Sequence, residues 1–521
     1  MSLHPADIVT LLAYLVVVIT VGVYSSRRSV NTENYFLGGR SFRGLIVGIS
    51  MVGASISCIT FIAYPADAYK TAWLRFLPNL MLPLGILIAS RVFLPFYRRT
   101  NITSAYQYLE RRFGPSIRVY GSVCFVIGQL TRIAMILYLF SILIQMTTNL
   151  DPLACILISG GCVALVTVMG GLHSVIWTTV IQTTVLMLGG ALCIATIVWK
   201  LPGGLGQVFS VAVADGKFSA ADLVGDRLTP SPWGLSLQHK TVTMMLLLGL
   251  CAWLFEYSGN QTVIQRYGAS QSARDARKAM WFCAFASLAI WATFMFIGTS
   301  LYVFFKQYPC TEATEILTGE RKAEQILPFF IVRYLPPGIT GLVIAAALSA
   351  ALSTLNASIN SLTMVTVQDV YRPHLVTGRS DRHYLVAAYI VSAAACVLMV
   401  VGAAILSRAQ TKTLQDTGTI LASLLGGGFF GIYLLGFLTN KGDARAVWVG
   451  LVFTLTFTIW TILPKHWLPD AVNVPFDLYY TGLMGHLVMF VVGYTVGVLW
   501  PGRQRDLTNL TVWRQDATPT T

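Results

Sequence analysis

A chain of 521 residues in which 55 % are hydrophobic and only 11 % charged departs from soluble globular domains, where about a quarter of the residues carry charge. Together with a mean hydropathy of +0.67, that balance marks an integral membrane protein. The formal net charge of +14 sits in short loops between apolar runs, so it concerns topology and excludes a nucleic-acid-binding face with interleaved stacking aromatics.

Thirteen apolar runs approach the roughly 20 residues a helix needs to cross a bilayer. The first, 8–24, follows MSLHPAD, which lacks a positive n-region, and ends in Tyr24-Ser25-Ser26-Arg27 without a small-residue cleavage site. It is therefore expected to remain as a membrane helix. The second, 42–64, contains SMVGASISCITFIAYP (50–65), where Ser50, Gly53, Ala54, Ser55, Ser57, Cys58 and Thr60 crowd together. Such density means either close helix packing or a helix interrupted at a binding site. The third and fourth runs are 77–97 and 119–146. Within the fourth, Arg132 stands with only Gln129, Thr131 and Ser141 as polar company from Val123 to Ile144. An arginine at that depth costs about 2.5–3.5 kcal/mol on insertion scales, so a partner for its charge is expected.

Runs five and six, 153–170 and 174–199, precede a polar stretch and then run seven, 241–264. That run reads CAWLFEYSGNQTVIQRYGAS at 251–270, with Glu256, Tyr257, Ser258, Gly259, Asn260 and Gln261 breaking an apolar helix. Two Gly-interrupted spans at corresponding positions, the first and sixth after an extra N-terminal helix, point to an inverted-repeat transporter. In such a fold the broken helices leave carbonyls free for a cation and amides free for an anion. Run eight is 279–305, and run nine, 338–366, holds LSAALSTLNASINSLT. There Ser349, Ser353, Asn356, Asn360 and Thr363 recur every three or four residues and form one polar stripe. Isolated hydroxyls in membrane helices commonly bond their own backbone, but a five-residue stripe suits the wall of a polar site. Ser353 and Thr354 offer adjacent hard, neutral oxygens of the kind a small hard cation takes. The remaining runs are 384–407, 417–438, 444–463 and 480–500.

Lys and Arg set the expected orientation. With the N-terminus outside, the cytoplasmic segments hold Arg27, Arg28, Arg40 and Arg43; Arg98, Arg99, Arg111, Arg112 and Arg118; and Arg266, Arg274, Arg277 and Lys278. Further along they hold Arg372, Arg379 and Arg382; Lys441 and Arg445; and Arg503, Arg505 and Arg514. The positive-inside rule then places the C-terminus in the cytoplasm of a multi-pass protein of the plasma (inner) membrane. Eight of the nine cysteines fall in spans and only Cys310 in an outer loop, so neither a disulfide framework nor a CxxC metal pattern arises. Of the histidines, only His486 is expected inside an apolar run, as a packing residue.

Several segments in order, NYFLGGRS (34–41), ITSAYQYLERRFG (102–114), GGLHSVIWTTVIQ (170–182), NQTVIQR (260–266) and AALSAALSTLNAS (346–358), make the chain resemble the sodium:solute symporter family. The resemblance implies an all-α membrane protein of about thirteen transmembrane helices around a LeuT-type core of five plus five inverted helices. It divides the chain into an extra N-terminal helix and loop (1–41), a first repeat (42–196), an outer loop (197–240), a second repeat (241–438), and two further helices with a tail (439–521). It implies a sodium site from the carbonyls of Gly53, Ile56 and Ala350 and the hydroxyls of Ser353 and Thr354.

In particular the chain resembles bacterial sodium/sialic acid symporters. That likeness gives Ser57 and Thr60 the substrate carboxylate, Arg132 its counter-charge, and Asn79 the place of a sugar-binding Gln; Glu256, which departs from the aromatic commoner at its place, and Tyr257 are further substrate-site candidates. A second sodium site found in some relatives is expected to be missing, because Thr179 replaces its Asp and Asn356 and Ala357 its hydroxyls. The expected activity is symport of one Na⁺ with a small carboxylate-bearing solute across the lipid bilayer. Neutral sugars, monocarboxylates, amino acids, vitamins or a sensing role remain as alternatives, and an enzyme is disfavoured by the lack of a catalytic cluster in the spans. Glu256 has three readings open: partner of Arg132 in the empty protein, substrate ligand, or a residue wetted by a vestibule.

Overall fold

The computed structural model describes residues 4–27, 31–99, 102–148, 150–168, 170–224, 227–408, 426–462, 474, 476–502 and 506–513. Ten helices among them are long and apolar enough to span a membrane, or eleven when one sharply bent pair counts as a single span. The expected runs 153–170 and 417–438 correspond to shorter apolar helices, Pro152–Thr167 and Phe429–Leu438, and residues 417–425 lie outside the described set.

The bent pair is the Gly- and Ser-rich second run. Gly44–Ser55 and Ile59–Lys70 meet at 61°. The first helical ladder ends where the Ile56 amide donates to the Val52 carbonyl at 2.9 Å, and Ile56 itself is extended. Ser57 then accepts from the Ile59 amide at 3.2 Å and starts the second half. The seventh run breaks likewise: Val242–Gly259 gives way to Gln261–Ala269 at Asn260, whose extended backbone and side-chain oxygen cap the new helix at the Thr262 amide. The two broken helices are tied together at one end of each. Phe42, before the first, bridges Ser270, after the second, with Gln271 N–H donating to the Phe42 carbonyl at 3.1 Å.

At the centre stands Ile339–Val365, almost wholly buried, continuing as a wider π-helical segment, Thr366–Leu375. Against it lie Gly171–Lys200, Pro115–Thr148 and the first helix, Pro5–Ser26. Asp7 of that first helix accepts from the amides of Gly338 (2.6 Å) and Gly341 (2.8 Å), so a carboxylate caps the positive end of the central helix.

Several arginines counted as loop charges are structural and buried. Arg118 donates to Asp369 (2.7 Å), Glu110 (2.5 Å) and the Gln368 carbonyl, while Arg112 reaches the carbonyls of Thr439, Lys441 and Gly442. Arg266 is fully buried, donating to the Thr262 carbonyl at 2.7 Å.

The stretch 197–240 is more ordered than a plain loop. It carries a helix, Gly204–Ala214, and a hairpin of Ala221–Val224 with Arg227–Pro230, paired Ala221 to Pro230. His486 packs as expected, accepting from the Gly428 amide at 3.2 Å. The expectation for histidine was too narrow, since His173 is also buried, near the start of Gly171–Lys200 and against Phe42. Its neighbours Gly170 and Gly171 hide that helical context in the sequence. All nine cysteines are free thiols.

Candidate functional site

The break after Ser55 places carbonyls where side chains of the central helix can meet them. Thr354 Oγ1 donates to the Ile56 carbonyl at 2.9 Å and lies 3.3 Å from the Ala350 carbonyl, while Ser353 Oγ donates to Ala350 at 3.2 Å. Gly53 completes the group. A methyl there would stand 3.6 Å from Ser353 Cβ, 2.6 Å from Thr183 Oγ1, and overlap Thr179 Cγ2. All five expected oxygen-bearing residues thus converge between the first broken helix and Ile339–Val365. Their donors are neutral carbonyl and hydroxyl oxygens, a set that suits a small monovalent cation.

Sequence reasoning passed over the third wall of this cluster. Thr179, Gln182 and Thr183 lie at i, i+3 and i+4 on Gly171–Lys200, and the buried Gln182 amide and Thr183 hydroxyl have no protein partner among the described residues. That helical spacing of polar residues in an apolar run was the available signal. Thr179 donates to the Val175 carbonyl at 2.6 Å, and Asn356 accepts from Thr167. The first bond lies within one helix, and the second joins Pro152–Thr167 to the central helix.

The other candidates are more dispersed. Arg132 is half-buried and forms no hydrogen bond or ion pair among the described residues. Glu256 lies within electrostatic reach of it, yet its carboxylate accepts from Asn260 Nδ2 at 2.7 Å instead of pairing with the guanidinium. Ser57 and Thr60 are buried just after the break, and Thr60 has no hydrogen-bond partner among the described residues. Asn79 donates to the Tyr64 hydroxyl at 2.9 Å. Tyr257 is drawn elsewhere: its hydroxyl meets Cys283 Sγ at 3.7 Å, on the helix Ala273–Gln307. The polar stripe of the central helix is largely satisfied, with Asn360 accepting from Gln265 at 2.7 Å and Ser349 bonded to Ala345.

A family model, the sodium:solute symporter family, matches residues 35–453. The chain belongs to that family. The chain is 29 % identical to the sodium/sialic acid symporter NanT of Aliivibrio fischeri, over 95 % of this chain and 93 % of that one. It is 29 % identical to the sodium/sialic acid symporter SiaT of Proteus mirabilis, over 97 % and 98 %. Among solved structures, a substrate-bound, outward-open Na⁺-coupled sialic acid symporter with a novel Na⁺ site shares 26 % identity and a TM-score of 0.85, covering 96 % of this chain and all of that one. The nucleobase-cation symporter Mhp1, at 16 % identity and a TM-score of 0.54, shares the LeuT-type fold alone. As a sodium:solute symporter the protein is a multi-pass membrane transporter and not an enzyme, and Na⁺ is its coupling ion. The neutral oxygens around Gly53 and Thr354 fit that ion.

Proposed function

We propose that this symporter imports an acidic sugar of the sialic acid type together with one Na⁺, the solute carboxylate pairing with Arg132. The unpaired guanidinium of Arg132 carries the reading. A cation at membrane depth without a counter-charge costs several kcal/mol, and a carboxylate offers guanidinium a two-pronged, charge-assisted bond. Glu256, engaged by Asn260, leaves that place open. The NanT and SiaT names, sodium/sialic acid symporters, support the same substrate class.

In this reading Na⁺ binds at Gly53, Ile56, Ala350, Ser353 and Thr354, and the solute at Ser57, Thr60, Asn79, Arg132 and Glu256. Tyr257 supports the broken helix through Cys283. Replacement of the second-site residues by Thr179, Asn356 and Ala357 supports a single Na⁺. The two repeats are taken as 42–196 and 241–438, with the N-terminus outside and the C-terminus in the cytoplasm, as the arginine-rich loops favour.

The test is uptake into proteoliposomes under an imposed Na⁺ gradient, comparing sialic acid with its uncharged carboxamide. Wild type is expected to prefer the acid. Arg132→Lys should weaken it by about 1–3 kcal/mol, the range for hydrogen bonds to charged groups, and Arg132→Ala should lose most of the preference. Equal discrimination in wild type and Arg132→Ala would sink the carboxylate reading.

A further inference from the structure

We infer that Gln129 is a specificity-determining residue of the solute site, its carboxamide bonding a hydroxyl or acylamino group of the solute beside the carboxylate held by Arg132. This deepens the acidic-sugar reading and rests on it. Four polar side chains lie between Val123 and Ile144 of Pro115–Thr148. Two are satisfied by their own helix, Thr131 at the Ile127 carbonyl (3.0 Å) and Ser141 at the Tyr138 carbonyl (2.7 Å). The other two are Arg132 and Gln129. Gln129 is 6 % exposed, its Oε1 is buried without a partner among the described residues, and its Nε2 forms no hydrogen bond there either.

Helical geometry puts the pair together. Residues three apart share a face, with Cβ atoms about 5–6 Å from each other. Phe125, one turn earlier in the same sector, packs on Tyr106 with ring centroids 5.7 Å apart, and Tyr106 lies within electrostatic reach of Glu256. Ala134, on the opposite arc, packs against Gly402. Arg132 lies within electrostatic reach of Glu256 on the second broken helix, and the buried Gln129 stands one turn from it on the same helix.

A buried amide without a partner is destabilising, so its presence calls for a ligand that supplies the bond. A carboxamide both donates and accepts, which matches a hydroxyl or an acylamino group, and its neutrality leaves the Arg132 charge for the carboxylate. Solutes carrying a carboxylate and, a few ångströms away, a hydroxyl or acylamino group fit both residues at once.

The test uses proteoliposome uptake of sialic acid and of analogues each lacking one hydroxyl or the acylamino group. Wild type is expected to reject at least one analogue about tenfold, roughly the effect of one hydrogen bond. Gln129→Met should raise KM for sialic acid by about the same factor and abolish that one discrimination, with kcat and the Na⁺ half-saturation little changed. Gln129→Asn should fall between them. If Gln129→Met discriminates among all analogues as wild type does, the inference is overturned while the Arg132 reading stands. If Arg132→Ala keeps the acid preference while Gln129→Met loses the analogue discrimination, the carboxylate reading falls and the role of Gln129 stands. Failure of wild type to take up sialic acid overturns both. Should Gln129→Met not reach the membrane, Gln129→Glu keeps the shape and places an anion beside Arg132. Tight sialic acid binding by that variant would equally overturn the inference.

Discussion

Thr354 Oγ1 donates to the Ile56 carbonyl, so in the proposed sodium site an arriving cation turns that hydroxyl away before both oxygens can face the ion. Both oxygens then serve the ion in place of each other. Removing either hydroxyl, in Ser353→Ala or Thr354→Ala, is expected to raise the Na⁺ half-saturation of uptake about tenfold or more, equivalent to one or two hydrogen bonds. Unchanged Na⁺ dependence at saturating solute in both variants would remove the assignment. Ser353 and Thr354 stand out in the sequence as adjacent hydroxyls at a polar stripe of an apolar helix, whereas the small residues around Gly53 suit close helix packing equally well. Tyr257 shows the reverse: its neighbours in sequence mark the break, but nothing in the string EYSGN tells which way the phenol turns, and Cys283 claims it.

Elements are tied where charges are buried across them. Arg118, near the start of Pro115–Thr148, holds Asp369 on the π-helical end of the central helix, and Ser104 adds a bond to the same carboxylate at 2.6 Å. Removing Asp369 leaves the buried Arg118 with Glu110 as its one remaining carboxylate among the described residues, so Asp369→Ala should destabilise the protein by about 3 kcal/mol, the lower end of the range for a broken buried pair. A thermal-unfolding series in detergent that includes Asp369→Asn tests this, and a loss below the experimental scatter would argue against it. The partners lie 251 residues apart, which is why the sequence shows only two unrelated charges.

The segment 197–240 gives a second case at this scale. Lys217, just beyond Gly204–Ala214, is buried and donates to the carbonyls of Tyr69 (2.6 Å) and Thr71 (2.5 Å), capping the C-terminal end of the first broken helix. Burial pushes its pKa down to about 7, against a weaker opposing pull from Asp215. Below that value both folded and unfolded chains hold the proton, and the burial cost is fully present. Above it the folded chain releases the proton while the unfolded chain keeps it up to about pH 10, so stability rises with pH by about 1 kcal/mol between pH 7 and pH 8. Thermal shift of wild type against Lys217→Met over that interval should show the rise in the first and a flatter curve in the second.

For the whole molecule, one Na⁺ moving with one monoanion transfers no net charge. A membrane potential worth about 2.3 kcal/mol per charge per 100 mV should therefore leave uptake of the acid undriven. An inward current on adding sialic acid to a voltage-clamped membrane would mean that a second cation moves, despite Thr179, Asn356 and Ala357. At this scale the broken helices and most spans were legible, since hydropathy and glycine punctuation act locally. The helix and hairpin within 197–240, the burial of Arg112, Arg118 and Arg266, and the shortness of Pro152–Thr167 were not, because each depends on what packs against it.

The Asp7 clamp also sets an order of events in synthesis. Its carboxylate is made among the first residues, yet the amides it binds come 331 and 334 residues later. At about 5–20 residues per second, the first helix sits in the bilayer for tens of seconds with that acid unclaimed, facing water or the insertion machinery. The helix bearing Ser353 and Thr354 acquires its cap only as it arrives, from the oldest part of the chain. A nascent protein interrupted before Gly338 thus lacks both the amides that claim Asp7 and the helix that carries three of the five residues proposed to bind Na⁺, Ala350, Ser353 and Thr354.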